Sequence, residues 1–249
     1  MLMDKVLYLV RNAFKLPAFI IDFVRFRRGL KSFRCRWVDV LPMLNEKTSS
    51  MDFDAHYIYH TGWAARVLRE LAPAHHIDIS SALMFSAVMS AYTKVSYYDF
   101  RKPSVVLSNL QCGVQDATRL TFESNSIESL SCMHVIEHIG LGRYGDAVDN
   151  KGDLLAASEL SRVIKPGGQL LIVVPVGADQ TVRFNAHRIY SYRGVLNMFN
   201  ELELLEFAFL HDKKDNQFFR FAAESDTTGS VYGCGCFLFR KPMSSGVLG

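Results

Sequence analysis

The stretch Glu128-Ser-Leu-Ser-Cys-Met-His-Val-Ile-Glu-His-Ile-Gly140 constrains this chain more than any other. It begins as a short apolar strand and ends in a burst of ionisable groups, His134, Glu137 and His138. A strand that closes on such a cluster delivers side chains to a cleft at the carboxyl edge of a parallel sheet. A helical pattern follows over Asp153–Ile164, with Leu154, Ala157, Leu160 and Ile164 inward, and Lys165-Pro-Gly-Gly168 ends it. Gln169-Leu-Leu-Ile-Val-Val174 is then a continuous apolar run, the pattern of a strand covered on both faces. Strand, polar cluster, helix, turn and strand make a βαβ unit and predict an α/β fold.

With 249 residues, 49% of them hydrophobic, the chain can bury one substantial core. Its net charge of +3 conceals an asymmetry. Residues 1–36 hold nine Lys or Arg against Asp4 and Asp22, so the rest of the chain is acidic. Residues 2–15 have helical periodicity, with Leu2, Met3, Val6, Leu7, Val10, Ala13 and Phe14 on one face. Pro17 is expected to interrupt, and Ala18–Arg28 to form a second helical segment closed by Gly29. No uncharged run approaches the ~20 residues that span a bilayer, and no small-residue cleavage site follows. This basic helical extension either packs on its own domain or lies on an anionic membrane surface. Polar Asn45–Ser50 reads as a linker, dividing a 1–50 extension from a 51–249 α/β domain. The five cysteines show no disulfide framework, and Cys234-x-Cys236 reads as a strand pair rather than a zinc site. A cytoplasmic location, peripheral at the inner membrane face if the extension docks, is the expectation.

Within the larger domain, Tyr59, Trp63, Val67 and Leu71 form a helical stripe ended by Pro73. A short strand from His75 enters the turn Asp78-Ile-Ser-Ser81, a helix covers Ala82–Ala91, and Val95–Tyr98 is a strand ending at Asp99. A further short strand is expected near Val105–Leu110. Gly140-Leu-Gly-Arg-Tyr-Gly145 has the spacing of a dinucleotide loop but not its setting straight after a first strand. It reads as a substrate loop carrying Arg143, Tyr144 and Asp146, or as a plain connection. Phe184-Asn-Ala-His-Arg188 brings more polar side chains to the same sheet edge. Leu204–Leu210 and Tyr232–Arg240 read as a last antiparallel pair, with a polar loop over Lys213–Ser230 between them.

Taken in order, these motifs resemble the class I S-adenosylmethionine-dependent methyltransferases over residues 56–240. The segments around Glu137-His138 and Lys165-Pro-Gly-Gly168 match that family's fourth and fifth strands. Gln115-Asp-Ala-Thr-Arg-Leu-Thr-Phe122 resembles its adenine-contacting segment. The longer strings His134–Asp146 and Phe184–Arg188 resemble one branch of it, a domain of unknown function often encoded beside surface-polysaccharide genes. The resemblance implies a doubly wound, mostly parallel seven-stranded sheet with the last strand antiparallel. It implies S-adenosylmethionine as cofactor, bound by Asp78, Ser80, Asp99 at the ribose, Asp116 at the adenine amino group, and Ala117. The family's glycine-rich first turn is absent here: Asp78-Ile-Ser-Ser81 has no glycine, and its serines bring Cβ atoms to the cofactor side.

Methyl transfer to oxygen needs alignment and a base near neutral pKa. His138 or His187 is the candidate base, Glu137 the group that orients or charges it, and Arg143, Tyr144, Asp146, Asn185 and Arg188 the candidate substrate contacts. His134, inside the strand, reads as a satisfied core histidine. His134-Val-Ile-Glu-His138 also spells an inverted zinc-protease pattern, but that chemistry needs both histidines on one helix, so no metal is expected there. Nucleic acid is not an expected partner, because the basic residues are confined to one terminal segment without a stacking platform. Two functions remain open. One is methylation of a sugar, sugar nucleotide or lipid-linked glycan in surface-polysaccharide biosynthesis. The other is a non-catalytic methyltransferase-fold protein that binds a glycan intermediate or a partner biosynthetic enzyme.

Overall fold

The computed structural model describes residues 2–49, 51–213 and 217–243, without the side chains of residues 2–11. The chain divides into two compact units, Met1–Phe53 and Asp54–Gly249.

In the first unit, helix α1 runs unbroken over Leu2–Arg28 with Pro17 inside it. The expected break at Pro17 does not occur. Proline removes one intrahelical hydrogen bond, and the turns on both sides keep the helix going. The expected apolar face over residues 2–10 rests on side chains outside the described residues, as does Ser50 of the expected linker. Phe23 is buried with its ring 4.5 Å from that of Trp37.

The second unit carries the sheet. Asp54 caps helix α2 (Ala55–Leu71) by accepting the Tyr57 N–H. After it come β1 (His75–Ile79), α3 (Leu83–Met89), β2 (Lys94–Asp99), β3 (Leu110–Val114) and β4 (Ile127–Met133). A single 3-10 turn, Ile136–His138, leads through the loop to α4 (Gly152–Val163) and β5 (Ile164–Val176). Next are the hairpin strands β6 (Thr181–Arg183) and β7 (His187–Ile189), then α5 (Tyr192–Met198), β8 (Glu203–Leu210), β9 (Phe218–Phe219) and β10 (Gly233–Arg240).

The main sheet has the order β3-β2-β1-β4-β5-β10-β8-β9. Strands β1 to β5 pair in parallel, and β10 inserts antiparallel between β5 and β8. This is the expected class I methyltransferase-like sheet, extended by the two-residue β9. Alternation along β5 explains its apolar run: Leu170, Ile172 and Val174 pack in one core, and Leu171 and Val173 in the other. Buried residues of α4 and α5 belong to the first core and those of α2 and α3 to the second.

Three local expectations are corrected. The strand placed at Val105–Leu110 lies instead at Leu110–Val114, because Asn109 adopts φ 59° and a tight Leu107–Leu110 turn consumes the apolar residues before it. Lys165-Pro-Gly-Gly168 does not precede a strand but is part of β5, opposite a register shift at Ile127/Ser129. Lys213–Ser230, expected as one loop, contains β9 and a 3-10 turn over Glu224–Thr227, with residues 214–216 outside the described residues.

Candidate active site

The carboxyl ends of β1, β2, β3 and β4 surround a cavity of about 620 Å³. That size suits a drug- or cofactor-sized ligand. Its lining includes Ser80 and Ser81 after β1, Asp99 at the end of β2, Asp116 and Ala117 after β3, and His134 and His138 after β4. One oxygen of Asp99 accepts the Arg101 N–H at 2.8 Å. Asp116 Oδ1 accepts from both the amide and the hydroxyl of Thr118. The other oxygen of each carboxylate has no partner among the described residues, which leaves an acceptor for a ligand's hydroxyl or amino group.

The glycine-free turn has a simple local explanation. No residue from Ile79 to Ala82 adopts a positive φ, so the freedom that glycine would supply is not needed. Ser80 Oγ donates to Asp78 and accepts the Ala82 N–H, and the Ser80 carbonyl accepts the Tyr97 hydroxyl at 2.7 Å. Asp78 itself, expected among the cofactor contacts, is absent from the lining and fully buried. Its carboxylate accepts hydroxyls from Ser80, Ser86 and Ser131. Alternation along β1 turns it away from the cavity, where it braces the turn.

A second cavity of about 530 Å³ shares His134, His138 and Tyr144 with the first. Arg143, Asn185, Ala186, His187 and Tyr232 also line it, with Asp54, His56 and Tyr57 from the start of α2. The rings of His138 and His187 lie 6.4 Å apart although they come from different loops. His138 Nδ1 is 2.7 Å from the Ala186 carbonyl oxygen. A carbonyl only accepts, so Nδ1 carries the proton and Nε2 keeps the basic lone pair. His187 Nε2 is buried without a partner. Burial, then the cation of Arg183, hold His187 below the ordinary histidine pKa.

Glu137 also lines the smaller cavity, and the remaining expected residues hold contacts of their own. Glu137 does not primarily serve His138: its Oε1 is 2.8 Å from His134 Nδ1 and 3.9 Å from His138 Nε2. Burial disfavours charge on Glu137 and His134, but their contact outweighs it, holding Glu137 low and His134, also beside Cys234, high. Arg188 is buried, donates to the Ile139 carbonyl at 2.6 Å and approaches Asp153 at 3.4 Å. It lines neither cavity, because it faces away from its neighbour His187 on β7. Asp146 lines the larger cavity, but its carboxylate is committed to the loop amides of Gly140, Gly142 and Tyr144. Burial raises its pKa, and those amides more than reverse the effect. Gly140 takes φ 78°, and an added Cβ would strike the Asp149 carbonyl. His56, Tyr57 and Tyr232 carry no signal in the sequence. His56 and Tyr57 open α2 outside its apolar stripe, and Tyr232, expected as the first residue of the last strand, instead precedes β10.

Sheet order and cavity position define the class: a class I methyltransferase-like fold with its cleft at the carboxyl edge. N-methyltransferase NodS from Bradyrhizobium japonicum, solved with S-adenosyl-L-homocysteine, is similar in fold at TM-score 0.55 and 15% identity, covering 77% of this chain and 89% of that one. The YcgJ protein from Bacillus subtilis is similar at TM-score 0.50 and 14% identity, covering 74% and 99%. No curated protein matches the sequence. The chain belongs to the family described as Caenorhabditis protein of unknown function, DUF268, which matches residues 103–229.

Proposed function

We propose that this chain is an S-adenosylmethionine-dependent methyltransferase acting on a sugar, a sugar nucleotide or a lipid-linked glycan in surface-polysaccharide biosynthesis. The observation that carries the reading is the pair of cavities meeting at His134, His138 and Tyr144. The larger fits the cofactor: its volume suffices, and Asp99 and Asp116 each keep an unused carboxylate oxygen. Asp99 would accept the ribose hydroxyls and Asp116 the adenine amino group, with Ala117 and Ser80 beside them. When bound, S-adenosylmethionine supplies an electrophilic methyl group on sulfur.

The smaller cavity would hold the acceptor. His138 Nε2 would take the proton from an acceptor hydroxyl, with Nδ1–H anchored on Ala186 to fix the tautomer. Arg143, which donates to the same carbonyl at 2.9 Å, and Asn185 would orient the sugar. Among the described residues no helix is long and apolar enough to cross a membrane. Basic Arg25, Arg27 and Arg28 and exposed Phe14, Ile21 and Phe26 on α1 support peripheral contact with anionic lipid.

Calorimetric titration of the full chain with S-adenosylmethionine tests this reading. Saturable binding is expected, weakened about 5- to 150-fold by Asp99→Ala, the equivalent of ~1–3 kcal/mol for lost hydrogen bonds to a charged acceptor. No binding at millimolar cofactor would overturn it.

A further inference from the structure

Beneath the junction of the two cavities lies a cluster that methyl transfer does not need. His56 comes from the first turn of α2, His134 from the residue after β4, and Cys234 from the start of β10. One ligand atom from each lies within 4.8 Å of the others. His134 lines both cavities, and His56 lines the smaller.

We propose that His56, His134 and Cys234 form a three-ligand site for a zinc ion, with Glu137 holding the His134 ring and the fourth position open to the smaller cavity. Two imidazoles and one thiolate are a donor set that zinc favours, and three protein ligands with one open position is its catalytic arrangement. Tetrahedral zinc with bonds of about 2.05 Å to nitrogen and 2.3 Å to sulfur separates those donors by about 3.6 Å. His134 Nε2 and Cys234 Sγ already stand 3.7 Å apart. One edge of the tetrahedron is thus preformed, and half-buried His56 closes the rest by a side-chain adjustment.

The surroundings are those of a ligand shell. His134 Nδ1 sits 2.8 Å from Glu137 Oε1, so Nε2 is the nitrogen presented toward Cys234. A carboxylate behind a ligating imidazole is the usual means of fixing its orientation. Glu137 Oε2 is buried with no hydrogen-bond partner. A half-satisfied buried carboxylate is costly, and a dication on the far side of the imidazole offsets that cost. His134 also holds φ 53°, a left-handed conformation that a side chain adopts at some energetic expense and that concentrates at functional positions. His56 Nε2 contacts the Tyr232 carbonyl at 3.2 Å, a backbone acceptor of the kind that steadies a ligating ring. Cys234 is fully buried, which removes it as a nucleophile toward a substrate.

Zinc binding here does not depend on the methyltransferase reading. Only the further point, that an acceptor oxygen or sulfur would meet the ion's open position, rests on it. The test uses the full chain, stripped with a chelator and titrated with zinc sulfate against a chromophoric competitor, then with cobalt chloride. One zinc per chain is expected. The cobalt form should show intense tetrahedral visible bands and a thiolate-to-cobalt band in the near ultraviolet. Cys234→Ser should abolish the ultraviolet band. Glu137→Gln should weaken zinc by about 10- to 100-fold, and His56→Gln by more. His138→Gln and His187→Gln should leave zinc affinity unchanged. If Cys234→Ser fails to fold, His56→Gln at its half-buried position, with folding checked by circular dichroism, tests the same ligand set. The proposal is overturned if the wild-type chain takes up no zinc at micromolar concentration, or if its cobalt form lacks the thiolate band. It is equally overturned if affinity falls with His138 and His187 but not with His56.

Discussion

Asp78→Asn should make the protein's stability less dependent on pH, in a direction fixed by burial. Asp78 lies fully buried near the carboxyl end of β1, accepting hydroxyls from Ser131, Ser86 and Ser80. Burial pushes its carboxyl from 3.8 up to about 6, and the three serine hydroxyls pull back only part of that rise. The native state therefore holds this proton more tightly than the unfolded chain does. Its contribution to stability is complete below pH 3.8 and lost as pH rises through about 6. At ~1.4 kcal/mol per pKa unit, a shift of roughly two units amounts to about 3 kcal/mol. Asparagine has nearly the same shape and cannot ionise. Burial also depresses His76 to about 3 and His60 to about 4, but both remain in the variant and cancel in the difference. Urea unfolding midpoints should show Asp78→Asn gaining about 3 kcal/mol on the wild type between about pH 4 and pH 7, and nothing more above that. Parallel stability curves across that interval would refute the reasoning, and so would a wild-type advantage that grows with pH.

Other outcomes follow from the same geometry. Trp63→Phe removes the indole donor 2.9 Å from buried Glu206, and should lower stability by ~1–3 kcal/mol in urea unfolding. Gly140→Ala should disorder the Asp146-braced loop, read as increased amide exchange over residues 140–146, since its φ of 78° and the Asp149 carbonyl both oppose a side chain. His138→Gln should slow turnover by about 10²–10⁴ while sparing cofactor affinity, measured as homocysteine-product release with an identified acceptor. Liposome sedimentation should show binding to anionic vesicles that falls steeply with salt, at ~1 kcal/mol per basic contact. Equal recovery with neutral vesicles would leave α1 without a lipid role.

The fold was legible where period and position agree. The double-faced apolar run of β5 and the polar cluster after β4 carried the parallel sheet, and the antiparallel insertion of β10 followed from the resemblance. Boundaries failed where backbone conformation overrides composition. Pro17 is tolerated inside α1. Asn109 turns the chain before β3. The Lys165–Gly168 segment stays in β5 because a register shift absorbs it. Residue placement was legible only as far as alternation could be counted: one step along β7 separates His187 from Arg188, and one step along β1 separates buried Asp78 from Ile79, which lines the larger cavity. Hydrogen-bond choice was not legible at all. Glu137 is adjacent to His138 in sequence, yet the 3-10 turn and the left-handed His134 bring it to the other histidine. The cluster of His56, His134 and Cys234 joins positions more than seventy residues apart, a proximity that no local pattern encodes.

A crystal structure of the full chain grown with S-adenosyl-L-homocysteine tests the central claim most directly. The nucleoside is expected in the larger cavity, its ribose hydroxyls on Asp99 and its adenine amino group at Asp116, with the sulfur end toward His138. A cavity that stays empty at millimolar product, or a ligand bound away from both carboxylates, would contradict it.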